Sequence, residues 1–260
     1  MRDQTEYNVR AVERALQILN SFDDSNPERG ISEISEAIGL HKATTHRILT
    51  TMLNMGFIER TADGQKYRLG IQMIDLGFKV LRRMDLRRES VPFMKKFIDE
   101  WDEAIDLSVF QDKQVLYVEV LQSHQTLTIA AAVGQRLPVH CTSTGKLFLA
   151  YASEKDLQAI LRTPLQAYTK NTVVSPEKLL EELAHIREKG YAFDHEEYEE
   201  GIRAVAAPIR NYTGVVIAAI SVPAPVRRMS DERMAQISKT LCEYADTISR
   251  RLGWNGSVTM

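Results

Sequence analysis

Two stretches of this chain carry side chains that could do chemistry. The first is Lys42-Ala43-Thr44-Thr45-His46-Arg47, with Lys66 and Arg68 a little further on. Short polar and bidentate side chains grouped in this way can read base edges in a DNA groove, while lysine and arginine hold phosphates and fix register. The second is His140-Cys141-Thr142-Ser143-Thr144-Gly145-Lys146. A phosphate-binding loop of the nucleotide type needs a glycine five positions before Gly145 and a hydroxyl after Lys146, and His140 and Leu147 stand there instead. A Cys141 and His140 catalytic pair is also poor, because adjacent residues seldom face each other and neither sits in a nucleophile motif. Two readings of this stretch stay open. A helix beginning near Thr142 to Thr144 could use its free backbone N–H groups and the hydroxyls of Ser143 and Thr144 to hold an anion such as a carboxylate, or those hydroxyls could simply cap the helix.

A third cluster, Asp194-His195-Glu196-Glu197, contains metal-ligand types. Consecutive residues of an extended segment alternate sides, so few could converge on one ion, and a solvated acidic loop is the favoured reading. No metal, no cofactor and no catalytic set is expected.

The elements that would position the first stretch are legible from Ile31 to Gly70. Ser32 can cap a short helix with Ile34, Ala37 and Ile38 inward, and Gly39 then turns the chain. A second helix has Ile48, Leu49, Met52 and Leu53 as its buried stripe, with Lys42, Thr45, His46 and Arg47 largely off it and Gly56 as its stop. Asp63-Gly64 is a hairpin-turn signal that would make a wing carrying Lys66 and Arg68. Upstream, Val12, Ala15, Leu16, Leu19 and Phe22 predict a third helix between Val9 and Phe22. The layout is a winged helix-turn-helix whose second helix would place Thr44, Thr45, His46 and Arg47 in a major groove, with Lys42, Lys66 and Arg68 on phosphate. The bland alternative, a small helical subdomain with a solvated basic face, is disfavoured because glycine turn, stripe and wing agree.

From Ile71 to Trp101 the periodicity is helical, with Ile74, Gly77, Phe78 and Leu81 in one part and Met94, Phe97, Ile98 and Trp101 in another. Pro92 must start or kink the later helix. An exposed apolar face on this connector needs a partner, and two-fold pairing would offer two recognition helices to a palindromic operator. Strands are expected at Leu107 to Phe110, Val115 to Leu121, Thr126 to Val133, Ile202 to Ile209 and Val215 to Val222. Helices are expected after the Ser175-Pro176 start, ending at Gly190, and from about Ser230 to Leu252. This second half reads as an antiparallel sheet with helices packed on it, so the whole chain is of α+β class.

Composition sets bounds that agree. A chain of 260 residues with 44% hydrophobic content can form more than one cored domain. No apolar run is long enough to span a membrane and the start, with Arg2, Asp3, Gln4 and Glu6, lacks a signal-peptide pattern, so a cytoplasmic location is expected. Cys141 and Cys242 have no paired-ligand spacing and are read as buried thiols. A net charge of −2 argues against a non-specific nucleic-acid coat and against a ligand-free architectural role. Lys79, Arg82, Arg83, Arg87, Arg88, Lys95 and Lys96 form a basic cluster, for which a solvated helix face is favoured over contact with flanking DNA.

The stretches Val12-Glu13-Arg14-Ala15-Leu16-Gln17-Ile18-Leu19 and Leu40-His41-Lys42-Ala43-Thr44-Thr45-His46-Arg47-Ile48-Leu49 resemble the first helix and recognition helix of the IclR family of bacterial transcriptional regulators. Leu137 to Lys146, Gly190 to Glu197 and Glu200 to Ile209 are similar to that family's later signature segments. The resemblance covers nearly the whole chain. It implies a winged helix-turn-helix over residues 1–70, a linker helix over 71–85 and a GAF-like α/β effector-binding and oligomerisation domain over 86–260. It also implies an effector cavity in which Ser143 and Thr144 offer N–H groups to a carboxylate, Asp194 bonds a polar ligand group, Leu137 and Ile202 form apolar wall and Ser221 adds a hydroxyl. Four positions depart from the family's common pattern: His41 for proline, Ala43 for serine, Ala204 for cysteine and Pro223 for serine. The last two make one end of the cavity less polar, which favours an acid with an apolar or ring-bearing body.

The function expected is a transcriptional regulator binding double-stranded DNA at a palindromic operator as a homodimer or dimer of dimers. A small organic-acid metabolite would modulate it, in the sugar-acid or aromatic-acid catabolism usual for the family. An enzyme with an accessory helical domain is disfavoured, since no nucleophile, base and orienter can be assembled.

Overall fold

The computed structural model describes residues 9–23, 25–126, 129 and 131–256. The chain divides after Arg83 into two compact units. No helix among the described residues is long and apolar enough to cross a membrane.

In the first unit, α1 (Arg10–Asn20), α2 (Ile31–Ala37) and α3 (Lys42–Asn54) share a core of Ile18, Phe22, Ile34, Leu49, Met52, Ile58 and Tyr67. A three-stranded antiparallel sheet, in the order β1 (Arg29–Gly30), β3 (Lys66–Leu69), β2 (Ile58–Arg60), completes it. The expected hairpin turn forms. Gly64 takes the left-handed conformation at φ 71, and its N–H donates to the Thr61 carbonyl at 2.8 Å.

Three local expectations are corrected here. The cap of α2 is Gly30, whose N–H is taken by the Glu33 carboxylate at 2.6 Å, so Ser32 lies exposed inside the helix. The buried stripe of α1 is Ile18 with Phe22, Ala15 and Leu19 against it, whereas Val12 and Leu16 are 57% and 55% exposed. This helix is apolar over more of its circumference than its neighbours cover. The later helix of the connector does not start at Pro92: α4 (Gln72–Arg83) ends before Met84, which is extended, and α5 (Asp85–Trp101) begins after it and runs on through the proline.

The second unit is built on a six-stranded antiparallel sheet. Its strands are β4 (Ile105–Gln111), β5 (Gln114–Leu121), β6 (Arg136–Leu137), β7 (Ala192–His195), β8 (Ile202–Arg210) and β9 (Val216–Pro225), in the order β6-β5-β4-β9-β8-β7. The strand expected over Thr126 to Val133 is not assigned; residues 127, 128 and 130 lie outside the described residues, and β6 takes its place beside β5.

Helices α6 (Ser143–Tyr151), α7 (Glu154–Leu161) and α8 (Pro176–Lys189) share one core with Val115, Tyr117, Ala206 and Ala219 of the sheet. The alternate strand residues, among them Leu107, Val205 and Ile220, are buried on the other face, where α5 runs along β4 and β5 and α9 (Asp231–Arg251) along β8 and β9. The ends of α8 follow the sequence signals. Ser175 accepts from the Lys178 N–H, Pro176 opens the first turn and Gly190 ends the helix at φ 79.

Candidate functional site

In the first unit, α3 presents Lys42, His46 and Arg47 to solvent, with Thr44 half-buried. His41 caps the helix, its Nδ1 accepting the Ala43 N–H at 3.3 Å, so the imidazole replaces the start signal a proline would give. Thr45 is a correction to the expected reading set. It has no exposed surface and its hydroxyl donates to the His41 carbonyl at 3.3 Å. Thr45, Leu49 and Met52 fall on one helical stripe, which commits Thr45 to the core and takes it out of the DNA-facing group. On the wing, Lys66 is exposed and Arg68 bridges to Glu59 across the β2–β3 register at 3.2 Å. Both partners of that pair are substantially exposed, so holding it contributes little and the guanidinium can exchange it for phosphate. Arg60, not singled out from the sequence, lies over the Tyr67 ring and donates to the Gly64 carbonyl at 2.9 Å, bracing the wing.

The basic cluster is paired rather than massed. Lys79 meets Asp75 at 2.6 Å, Arg88 meets Asp85 at 2.8 Å, Lys96 meets Glu100 at 3.5 Å and Arg87 meets Glu119. The side chains of Arg82 and Arg83 lie outside the described residues.

In the second unit, Leu137, Ser143, Thr144, Asp194, Ile202, Ala204 and Ser221 all line one cavity of about 400 Å³. They come from β6, the start of α6, and strands β7, β8 and β9. Sequence reading missed Tyr117, Ile129, Gln135, Tyr198, Pro223 and Pro225 as further lining. Pro223 was noted only as a departure, and the others carry no local signal because their convergence is set by sheet order.

The wall formed by α6 follows from its first turn. Thr142 is the cap: its hydroxyl donates to the Pro138 carbonyl at 2.8 Å and accepts the Gly145 N–H at 3.1 Å, while its carbonyl takes the Lys146 N–H at 2.9 Å. The N–H groups of Ser143 and Thr144 have no acceptor among the described residues, and they are the donors an entering anion would meet. Capping thus falls to Thr142 rather than to the Ser143 and Thr144 hydroxyls, and its two successors line the cavity. Gly145 is needed for the geometry, since a Cβ there would collide with the Val139 backbone and come within 2.6 Å of the Thr142 hydroxyl.

Lys146 continues this turn into the interior with no exposed surface. Its ammonium is held by Glu197 at 2.5 Å and by Glu182 of α8. Burial pulls its pKa down, but the two carboxylates outweigh that and hold it above the usual range, so the charge is kept. Glu197 in turn donates its N–H to Asp194 Oδ1 at 2.8 Å. The solvated acidic loop is thus corrected: Asp194 and Glu197 are buried, because a lysine from a distant helix neutralises the segment. Burial, opposed by the Glu197 N–H and reinforced by the Glu197 charge, pushes Asp194 up to about 7. Among the described residues no cluster is arranged to hold a metal ion.

Cys141 is buried and its thiol is pushed far up by burial, while His140 Nε2 is engaged with the Gln166 carbonyl at 2.8 Å. Cys242 is only partly buried, and burial raises it to about 11. Neither thiol ionises near neutral pH.

A helix-turn-helix unit joined to a sheet unit with a cavity matches two domain families over most of the chain. Residues 11–62 match the IclR helix-turn-helix domain and residues 78–250 match the bacterial transcriptional regulator IclR C-terminal domain. The chain belongs to the IclR family. It is similar to the HTH-type transcriptional regulator XynR of Escherichia coli K12, at 34% identity over 95% of this chain and 98% of that protein. Among solved structures it is similar to an IclR transcriptional regulator from Alicyclobacillus acidocaldarius, at 29% identity and TM-score 0.83 over 95% of this chain and 100% of that one. It is also similar to an IclR homologue from Microbacterium hydrocarbonoxydans solved with 4-hydroxybenzoate, at 31% identity and TM-score 0.78 over 93% of this chain and 98% of that one. These families and relatives are DNA-binding transcriptional regulators, not enzymes, and this IclR-type chain is a transcriptional regulator of the same kind.

Two outcomes test the site's electrostatics. Lys146→Ala leaves buried carboxylates uncompensated and is expected to cost about 3–5 kcal/mol in denaturant unfolding, whereas Lys146→Met combined with Glu197→Leu recovers part of that loss. A cost under about 1 kcal/mol would contradict the pairing. The second outcome concerns pH. Asp194 is raised to about 7, and Asp106 on β4 is raised by burial to about 8, against an ordinary value of 3.8. Between those values the folded state holds protons that the unfolded chain has released. Their stabilising contribution is complete below about pH 4 and is lost as pH rises to about 8. Stability of the Asp106→Asn variant is expected to fall less over that range than that of the parent chain; parallel curves would refute the assignment.

Proposed function

We propose that this IclR-family chain binds a palindromic operator as a homodimer or dimer of dimers, and that a small organic acid with an apolar or ring-bearing body modulates that binding. The regulated genes are proposed to form a catabolic operon. The observation that carries the effector reading is the convergence of the Ser143 and Thr144 N–H groups, Asp194, Ser221 and apolar Leu137, Ile202 and Ala204 on one cavity. Helix N–H groups favour a carboxylate, and the surrounding apolar wall favours a carbon body. The Microbacterium hydrocarbonoxydans homologue, solved with an aromatic hydroxy acid, supports the same ligand class.

Operator contact is assigned to Lys42, Thr44, His46 and Arg47 on α3 and to Lys66 and Arg68 on the wing. Residues 1–70 form the DNA-binding part in this reading, 71–85 the linker helix and 86–260 the effector and oligomerisation part. Dimerisation draws support from apolar side chains left in solvent on the first unit: Val9, Val12 and Leu16 on and beside α1, and Ile71, Ile74 and Phe78 on and beside α4.

The test is footprinting and mobility shift on the DNA upstream of the protein's own gene, with isothermal titration of a panel of carboxylic acids. A symmetric footprint is expected. Arg47→Ala is expected to cost about 1–3 kcal/mol and relax sequence preference, while Lys66→Ala weakens all sequences alike and lowers the log–log salt slope by about 1. Binding only of short hydroxy or keto acids would rule out the apolar or ring-bearing body.

A further inference from the structure

Asp106 is the least explained polar residue in the molecule. It is fully buried in β4, and neither carboxyl oxygen has a hydrogen-bond partner among the described residues. Register fixes where it points. Asp106 stands directly opposite Ser221 of β9, and directly opposed residues of an antiparallel pair share a face of the sheet. Ser221 lines the cavity and is itself only 2% exposed. Two residues along β4, on the same face, Ser108 stands opposite Tyr117 of β5, which also lines the cavity. The core that α6 covers on this face includes Tyr117, Ala206 and Ala219, the latter two being neighbours of Ser221 across and along the sheet. Asp106 therefore lies on the cavity face, on the strand between two strands that contribute cavity wall.

We propose that Asp106, with Ser221 beside it, is the second polar pole of the effector cavity and recognises a hydroxyl carried on the effector away from its carboxylate. The effector class is then a hydroxylated carboxylic acid, its carboxylate at the N–H groups of α6 and its hydroxyl at the floor of the sheet. This rests on the carboxylate reading of the cavity given above.

The chemistry of the pole fits such a group. Burial raises Asp106 to about 8, so at neutral pH it carries its proton and offers both a donor and an acceptor, as a hydroxyl requires. The titratable groups that line the cavity are Tyr117, Asp194, Tyr198 and Glu199, with Asp106 behind that lining on the same face of the sheet, and Tyr117 is held well above its usual value by burial and by Asp106, Tyr198 and Asp194. Among the described residues no cation is directed at Asp106, and burial alone raises it. A neutral partner such as a hydroxyl suits a neutral acid, whereas a second carboxylate there would have to be desolvated without compensation.

Matched acids test this by isothermal titration into the full-length protein: benzoate with 4-hydroxybenzoate, and cyclohexanecarboxylate with 4-hydroxycyclohexanecarboxylate. The hydroxylated member is expected to bind about tenfold or more tightly. Asp106→Leu is expected to abolish that preference while leaving the unsubstituted acid within about threefold, and Asp106→Asn to keep most of it, since an amide still donates and accepts. Should the leucine variant not fold, Asp106→Ser, which shortens the reach, gives the same readout. Equal binding of both members, or a preference that survives removal of the carboxyl, would overturn the assignment of Asp106 while leaving the carboxylate reading intact. Failure of every acid in the set to bind would remove the carboxylate reading and this inference with it.

Discussion

The buried ammonium of Lys146 is the interaction on which the second unit depends. A lysine with no exposed surface inside a largely buried helix is tolerable only if its charge is met, and Glu197 and Glu182 meet it from two different elements. That requirement ties α6 to α8 and to the turn after β7. Because Glu197 also donates its N–H to Asp194, fixing the ammonium fixes Asp194 beside the first turn of α6. The cavity wall is thus a consequence of satisfying one buried charge. Gly145 serves the same end by letting the helix start against the Val139 backbone.

The cavity would seem hostile to an anion, since two aspartates sit on or beside it. Burial resolves the conflict by pushing Asp194 to about 7 and Asp106 to about 8, so that both are partly or wholly neutral where a carboxylate would enter. The positive end of α6 then acts on the ligand with both aspartates weakened as competing charges. An apolar surround strengthens this arrangement because it keeps water from competing for the N–H groups. Helix start, neutral acids and apolar wall therefore belong to one electrostatic design.

Much of this was legible in the sequence wherever the signal was local. The Asp63-Gly64 turn, the Ser175-Pro176 start with its Gly190 stop, and the helix start around Thr142 each rest on residues within a few positions of one another. The misses share a non-local cause. Thr45 reads as a polar helix residue, but its orientation is decided by what α1 and α2 leave to be filled. The outward strip of α1 reads as inward because apolar residues occur on more than one side of it. The burial of Asp194 and Glu197 depends on Lys146, which is 51 positions from Glu197 in the chain. Asp106 carries no local signal, and only the β4–β9 register brings it beside Ser221.

The proposed control by an effector requires that occupancy of the cavity and occupancy of DNA affect each other, and such coupling is reciprocal. The most direct measurement is the affinity of the tightest-binding carboxylic acid for the full-length protein, titrated once in the absence and once in the presence of saturating operator DNA. The account predicts that DNA shifts the acid's dissociation constant by about 5–150-fold, in the same sense and by the same factor as the acid shifts operator affinity. Identical acid affinities in the two titrations would contradict it, because a ligand that binds both states equally can regulate neither.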